Sequence, residues 1–159
     1  MKHLPLALLA LLFAAPAISA ALDVHYTVLH GAEAKKALHQ CSRPNVDGVT
    51  GLWDPPKEAV QQLESDLPHL AQLASTKKQG LPESIGDPKI SHRQYVGVVI
   101  GGQHYIYINA WPADEFAQEQ GDGWLRSAAI VCDGGPSSWG ALYDPLTGEF
   151  SHLEGNGAA

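Results

Sequence analysis

Cysteine and basic side chains are scarce in this chain, and catalytic signatures are missing; each shortage closes off a class of function. Of 159 residues only 10 are Lys or Arg, against 17 Asp or Glu, for a formal charge of −7. Basic residues never gather into a cluster, so the electrostatic footprint of a nucleic-acid binder is missing. The same shortage argues against docking on anionic lipid. "GPSSWG", Gly135 to Gly140, lacks the G-x-S-x-G elbow and its strand-to-helix context. Asp133-Gly134-Gly135-Pro136 has no following Lys or helix start, which argues against a phosphate loop. The 8 histidines fit no metal-ligand spacing: His25, His30 and His39 lie five and nine residues apart, and His92, His104 and His152 are scattered. Neither a metal nor a cofactor is expected. Glu64, Asp66, Asp114, Glu115, Asp133, Asp144, Glu149 and Glu154 supply carboxylates, but nothing in their spacing selects an acid/base pair. No catalytic residue is assigned.

What is present starts at the N-terminus. Met1 to Ala20 carries Lys2, an apolar run from Leu4 to Leu12, and Ala17-Ile18-Ser19-Ala20 at a cleavage site. That is the layout of a secretory signal peptide. A membrane anchor needs about 20 apolar residues, and Pro16 and Ser19 cut this run short. No cysteine follows the cleavage region, which argues against a lipid-anchored form. A single exported domain is therefore expected over 21–159, periplasmic or secreted, with no membrane anchor in its mature form. Without Lys2 it carries 9 basic residues against 17 acidic ones, a charge of −8.

The 2 cysteines are Cys41 and Cys132. In an oxidising compartment an even pair reads first as a disulfide. A loop of that length contributes about 4–5 kcal/mol in the chain-entropy model. The competing reading, a nucleophile or metal ligand, lacks a CxxC or a neighbouring His.

Along the mature chain, Asp23 to Leu29 reads as a short strand, Ala32 to His39 as a short helix, and Arg43 to Gly51 as a loop. At "WDPPKEAVQQLESDL", Asp54 is the expected N-cap and Pro55 the first helical residue. Val60, Leu63, Leu67, Leu70 and Ala74 form an apolar stripe. Pro68 should kink the helix, or restart it with Asp66 as a second cap. Ser75 to Lys89 reads as loop. "YVGVVIGGQHYIYINA" is a hairpin: a two-residue turn at Gly101-Gly102 pairs Ile100 with Gln103, Val98 with Tyr105 and Val96 with Tyr107 on one face. Val99 with His104, Gly97 with Ile106 and Tyr95 with Ile108 share the other. Trp111 to Gly123 is an acidic connection, Ser127 to Cys132 a third strand, and Ser138 to Tyr143 a fourth. Asp144-Pro145-Leu146-Thr147-Gly148 is turn chemistry, with Asp144 bonding N–H groups of its own turn. The expected fold is α+β: one main amphipathic helix packed on a curved antiparallel sheet of about four or five strands, in a cystatin-like arrangement.

The segments "CSRP", "GLWDPPKEAVQQLESDL", "RQYVGVVIGGQHYIYINA", "VCDGG" and "WGALYDPLTGEFSHLEGNG" together resemble a family of small exported bacterial proteins of unknown function. In the same order they cover about three fifths of the mature chain. The resemblance implies bacterial origin, export, a Cys41–Cys132 bridge and one compact domain; it implies no activity.

Both hairpin faces are apolar, and the helix covers only one. The other calls for the N-terminal segment, a partner chain or a ligand, so the reading is a non-catalytic binding or interaction domain of the cell envelope. Its expected partner is an envelope protein or a small apolar ligand. The binding candidates are Arg93, Tyr95, Trp111, Asp133, Trp139 and Tyr143, with Tyr95 and Val99 on the face expected to bind. Arg93 is expected to pair with an acid such as Asp133, or, if it lies inward, to meet an anion. The alternatives are an envelope-directed hydrolase using Asp133 or Asp144 with a histidine, and a homodimer closing on its free sheet face.

Overall fold

The hairpin at Gly101-Gly102 is the spine of the fold. In the computed structural model, which describes residues 25–76, 85, 88–113 and 121–157, with backbone alone for 71–76, it pairs β-rich runs of ten residues each. The longest two strands meet in the expected register, Ile100 opposite Gln103 through Tyr95 opposite Ile108, and continue to Ser91 opposite Pro112. Gly101 and Gly102 both take positive φ, 57° and 81°, which a two-residue turn of this hand requires and side chains resist.

In chain order the elements are β1 (Tyr26–Val28), α1 (Gly31–Ala37), β2 (Val49–Leu52), α2 (Lys57–Thr76), β3 (Ser91–Ile100), β4 (Gln103–Pro112), β5 (Trp139–Asp144) and β6 (Glu149–Gly155). Six strands form one open sheet in the order β1-β3-β4-β5-β6, with β2 also on β3. Two short strands share the free edge of β3. β1 lies parallel to Arg93–Tyr95, and β2 antiparallel to Val98–Ile100. The α+β class holds. Among the described residues the sheet is mixed rather than antiparallel and has six strands, and the short helix expected at Ala32 to His39 stands as α1 beside the longer α2.

Each face of the sheet has its own cover. Val60, Leu63, Leu67 and Leu70 of α2 pack on Tyr95, Ile106, Ile108, Ala110, Trp139, Ala141 and Tyr143. Burying four such aliphatic side chains is worth about 1.5–3 kcal/mol each, against about 3 kcal/mol for a proline within a helix. The stripe wins: α2 continues through Pro68, whose own side chain is exposed, so the helix does not restart there. Asp54 does not cap it either, because its carboxylate meets His30 Nδ1 at 2.7 Å and the helix begins at Lys57. On the opposite face, Leu29, Ala34 and Ala37 of α1, and Leu38 just past it together cover Val96, Val98, Tyr107 and Leu142. The second face is thus covered by the N-terminal segment from within the chain. A smaller cluster of Trp111, Trp124, Ala129 and Val131 closes one end, where Trp124 stacks on His92 with ring centroids 4.4 Å apart.

Ser127 to Cys132, expected as a strand, pairs with none. It crosses the second face, and side chains bond its backbone: the Glu33 carboxylate takes the Ala128 N–H at 2.8 Å, and carboxamides do the rest. Gln94 takes the Ala129 N–H and donates to the Ser127 carbonyl. Gln40 and Asn109 donate to the Ala129 carbonyl, Gln40 takes the Val131 N–H, and Asn156 donates to the Val131 carbonyl. With these partners supplied, no neighbouring strand is needed to pair its buried backbone. Cys41 and Cys132 form a disulfide with a Cα–Cα distance of 5.3 Å across 91 residues of sequence. The signal segment lies outside the described residues, as do 77–84 and 86–87 of the expected loop and 114–120 of the acidic connection. Among the described residues, no helix is long and apolar enough to cross a membrane.

Candidate functional site

Two residues past Cys41, the chain turns Arg43 inward over the carboxamide layer. The disulfide holds this loop on one side, and two bonds secure its middle: Gly157 N–H to the Ser42 carbonyl at 2.8 Å and Asp133 N–H to Ser42 Oγ at 3.1 Å. Arg43 is 6% exposed, and among the described residues no carboxylate pairs with it. Its guanidinium donates from Nε and Nη2 to the Tyr107 hydroxyl at 3.2 and 2.7 Å, from Nη2 to Asn109 Oδ1 at 2.5 Å, and from Nη1 to Asn156 Oδ1 at 2.8 Å. All three acceptors are neutral. The group lies flat on β5 because position 140 is glycine: a Cβ there would stand 2.8 Å from Nε and 3.0 Å from the Tyr107 hydroxyl.

A buried cation is costly unless paired and fully hydrogen-bonded. Here one N–H of Nη1 has no acceptor among the described residues. The Tyr107 hydroxyl accepts twice and donates to nothing among them. Burial pushes the Tyr107 phenol up, and the adjacent guanidinium pulls it partly back, so its proton stays on at neutral pH. Arg43 and Tyr107, each with an unused donor, both line a recess of about 300 Å³. Its walls are Val46, Ile100, Tyr105 and Leu142, and its rim carries Asp47, Ser151, His152 and Glu154. Such a recess can hold a small molecule with an apolar body and an acceptor at its buried end.

The residues singled out from sequence mostly go elsewhere. Trp111, Trp139, Tyr95 and Tyr143 are buried in the two cores beneath α2 and beside Trp124. The face of Tyr95 is not open, since α2 covers it. Arg93 is 2% exposed and pairs not with Asp133 but with Glu64, Nη2 to Oε2 at 3.1 Å. It also donates through Nη1 to the carbonyls of Pro88, Lys89 and Ser91. Tyr95 donates its hydroxyl to Glu64, and burial first of all pushes its phenol well up. Tyr143 donates to Asp66 at 2.7 Å, and its phenol too is pushed up, by burial and then by that carboxylate. Asp133 is exposed on the loop beside Ser42, at φ 59°.

Asp144 does what its turn asks of it, accepting from Leu146 N–H at 2.8 Å and Thr147 N–H at 3.3 Å. It shares a shallow hollow of about 500 Å³ with His104, Trp53, Pro145 and Leu146. The His104 ring stacks there on Trp53, with centroids 4.6 Å apart. Among the described residues no three His, Cys, Asp or Glu side chains gather at metal-binding distance.

Sequence reasoning missed Arg43 and its supports Asn109 and Asn156. The usable signal was slight: an arginine two residues from a bridging cysteine, and a lone Asn in an otherwise apolar strand. Scans against family models, curated proteins and solved structures returned no match.

Proposed function

We propose that this chain is an exported, non-catalytic binding domain and that the recess above Arg43 is where it holds a small molecule. The observation that carries the reading is a buried arginine with only neutral partners, opening on a preformed apolar-walled recess. An arginine kept for architecture alone gains most from a carboxylate in fork geometry; this one is left able to take an acceptor from outside. Export is supported by the N-terminal pattern of charge, apolar run and small residues, and by a disulfide whose cysteines are both exposed. The resemblance to small exported bacterial proteins belongs to the same proposal. Packing of α2 on the sheet supports the cystatin-like comparison, while the parallel β1 and the second helix depart from it.

The test is native mass spectrometry of the protein purified gently from its own host, beside Ser151→Trp, which places an indole at the rim of the recess. A bound small molecule in the wild type that is absent from the variant supports the reading. The same retained mass in both proteins would put the ligand elsewhere.

A further inference from the structure

The charges around the recess say more about its occupant than its volume does. Its inner end offers the positive charge of Arg43 and the hydroxyl of Tyr107. The rim offers the opposite: Asp47 and Glu154, both exposed. Arg43 is the one Lys or Arg side chain among the lining residues. A simple organic anion would satisfy the inner end and meet repulsion at the rim. An amine would do the reverse. Only a molecule carrying both charges, anion inward and cation outward, suits both ends, with its apolar part against Val46, Ile100, Tyr105 and Leu142.

Resting on the binding reading above, we infer that the recess takes a zwitterion: an apolar amino acid or short peptide. Its carboxylate lies at the Arg43 and Tyr107 end, where the Tyr107 hydroxyl can donate to it, and its ammonium faces Asp47 and Glu154. The two halves carry unequal weight. A charge-assisted bond at a buried site is roughly twice as strong as a neutral one, whereas an exposed ion pair is worth little. The carboxylate therefore dominates affinity and the ammonium tunes it.

Isothermal calorimetry of the purified protein with three probes separates the claims: L-phenylalanine, L-phenylalaninamide and N-acetyl-L-phenylalanine. Amidation of the carboxylate is expected to weaken binding at least tenfold, and acetylation of the amine by a few-fold. Tyr107→Phe leaves Asn109 and Asn156 to hold Arg43, and should weaken phenylalanine several-fold while leaving phenylalaninamide unchanged. An amide that binds as tightly as the free acid overturns the carboxylate while the recess survives as a binding site. An acetylated probe that binds as tightly as the free amine overturns the zwitterion. If no probe binds at millimolar concentration, the zwitterion is wrong; filling of the recess by an unrelated molecule in native mass spectrometry then keeps the binding reading, and an empty recess removes both.

Discussion

Two arginines are buried in this sheet, one on each face, and they are treated in opposite ways. Arg93, beneath α2, is answered by a carboxylate from Glu64, a tyrosine hydroxyl and three carbonyls. Arg43, on the face crossed by α1 and 127–131, has among the described residues a phenol and two carboxamides as its partners. The first arrangement neutralises the charge and uses it to lock the start of β3 against the helix. The second spreads the charge over neutral dipoles and leaves donors unspent beside open space. Burial alone therefore does not tell a strut from a site; the partners do.

The contrast can be broken by changes made on one side at a time. The largest effect belongs to the bridge that holds the Arg43 loop. Replacing both Cys41 and Cys132 with Ser should cost about 4 kcal/mol of stability, read from urea midpoints, with binding at the recess lost and the α2 face unaltered. Next is Glu64→Ala, which strands Arg93 with its charge unanswered. It should cost about 3 kcal/mol, at the low end for a broken buried pair because Glu64 is 20% exposed. The corresponding change at the other arginine, Asn156→Ala, removes no charge and should cost about 1–2 kcal/mol. Equal losses on the two sides would erase the distinction.

Gly140→Ala is next: its Cβ would fall 3.0 Å from Arg43 Cζ, so the guanidinium must shift. About 1–2 kcal/mol is expected, with ligand affinity falling more than stability. The smallest effect comes from Tyr143→Phe, which loses the bond to Asp66 and about 1 kcal/mol. That variant also sharpens the pH behaviour. Tyr95, Tyr107 and Tyr143 all have phenols raised in the folded chain. Above the unfolded value of about 10, the folded state then binds more protons than the unfolded one. Stability is therefore full below about pH 10 and falls as pH rises toward the folded values. Melting temperatures from pH 8 to 12 should decline above that point, less steeply in Tyr143→Phe.

Local features were legible in the sequence, and distant ones were not. The β3–β4 register follows from alternation and one glycine turn, and the Asp144 turn from five consecutive residues. The cysteine pairing followed from there being no third candidate. By contrast, β1 and β2 are short, and both dock on one edge of β3, so their pairing depends on what that edge leaves free. Ser127 to Cys132 has the composition of a strand, but side chains of Glu33, Gln40, Gln94, Asn109 and Asn156, from widely separated parts of the chain, bond its backbone. Arg43 reads as a surface loop residue for the same reason: Asn156, which holds it, lies 113 residues away. The pairing of Arg93 with an acid was legible as chemistry, but the acid was not, since Glu64 reaches it only once α2 lies on the sheet.

The most direct measurement follows the guanidinium protons themselves. In nitrogen-15 labelled protein, the side-chain N–H signals of Arg43 and Arg93 are recorded while L-phenylalanine is added. The expected result is a saturable shift of the Arg43 signals with those of Arg93 unmoved. Arg43 signals that stay in place at saturating ligand, or that move no more than those of Arg93, would contradict the assignment of one arginine to binding and the other to architecture.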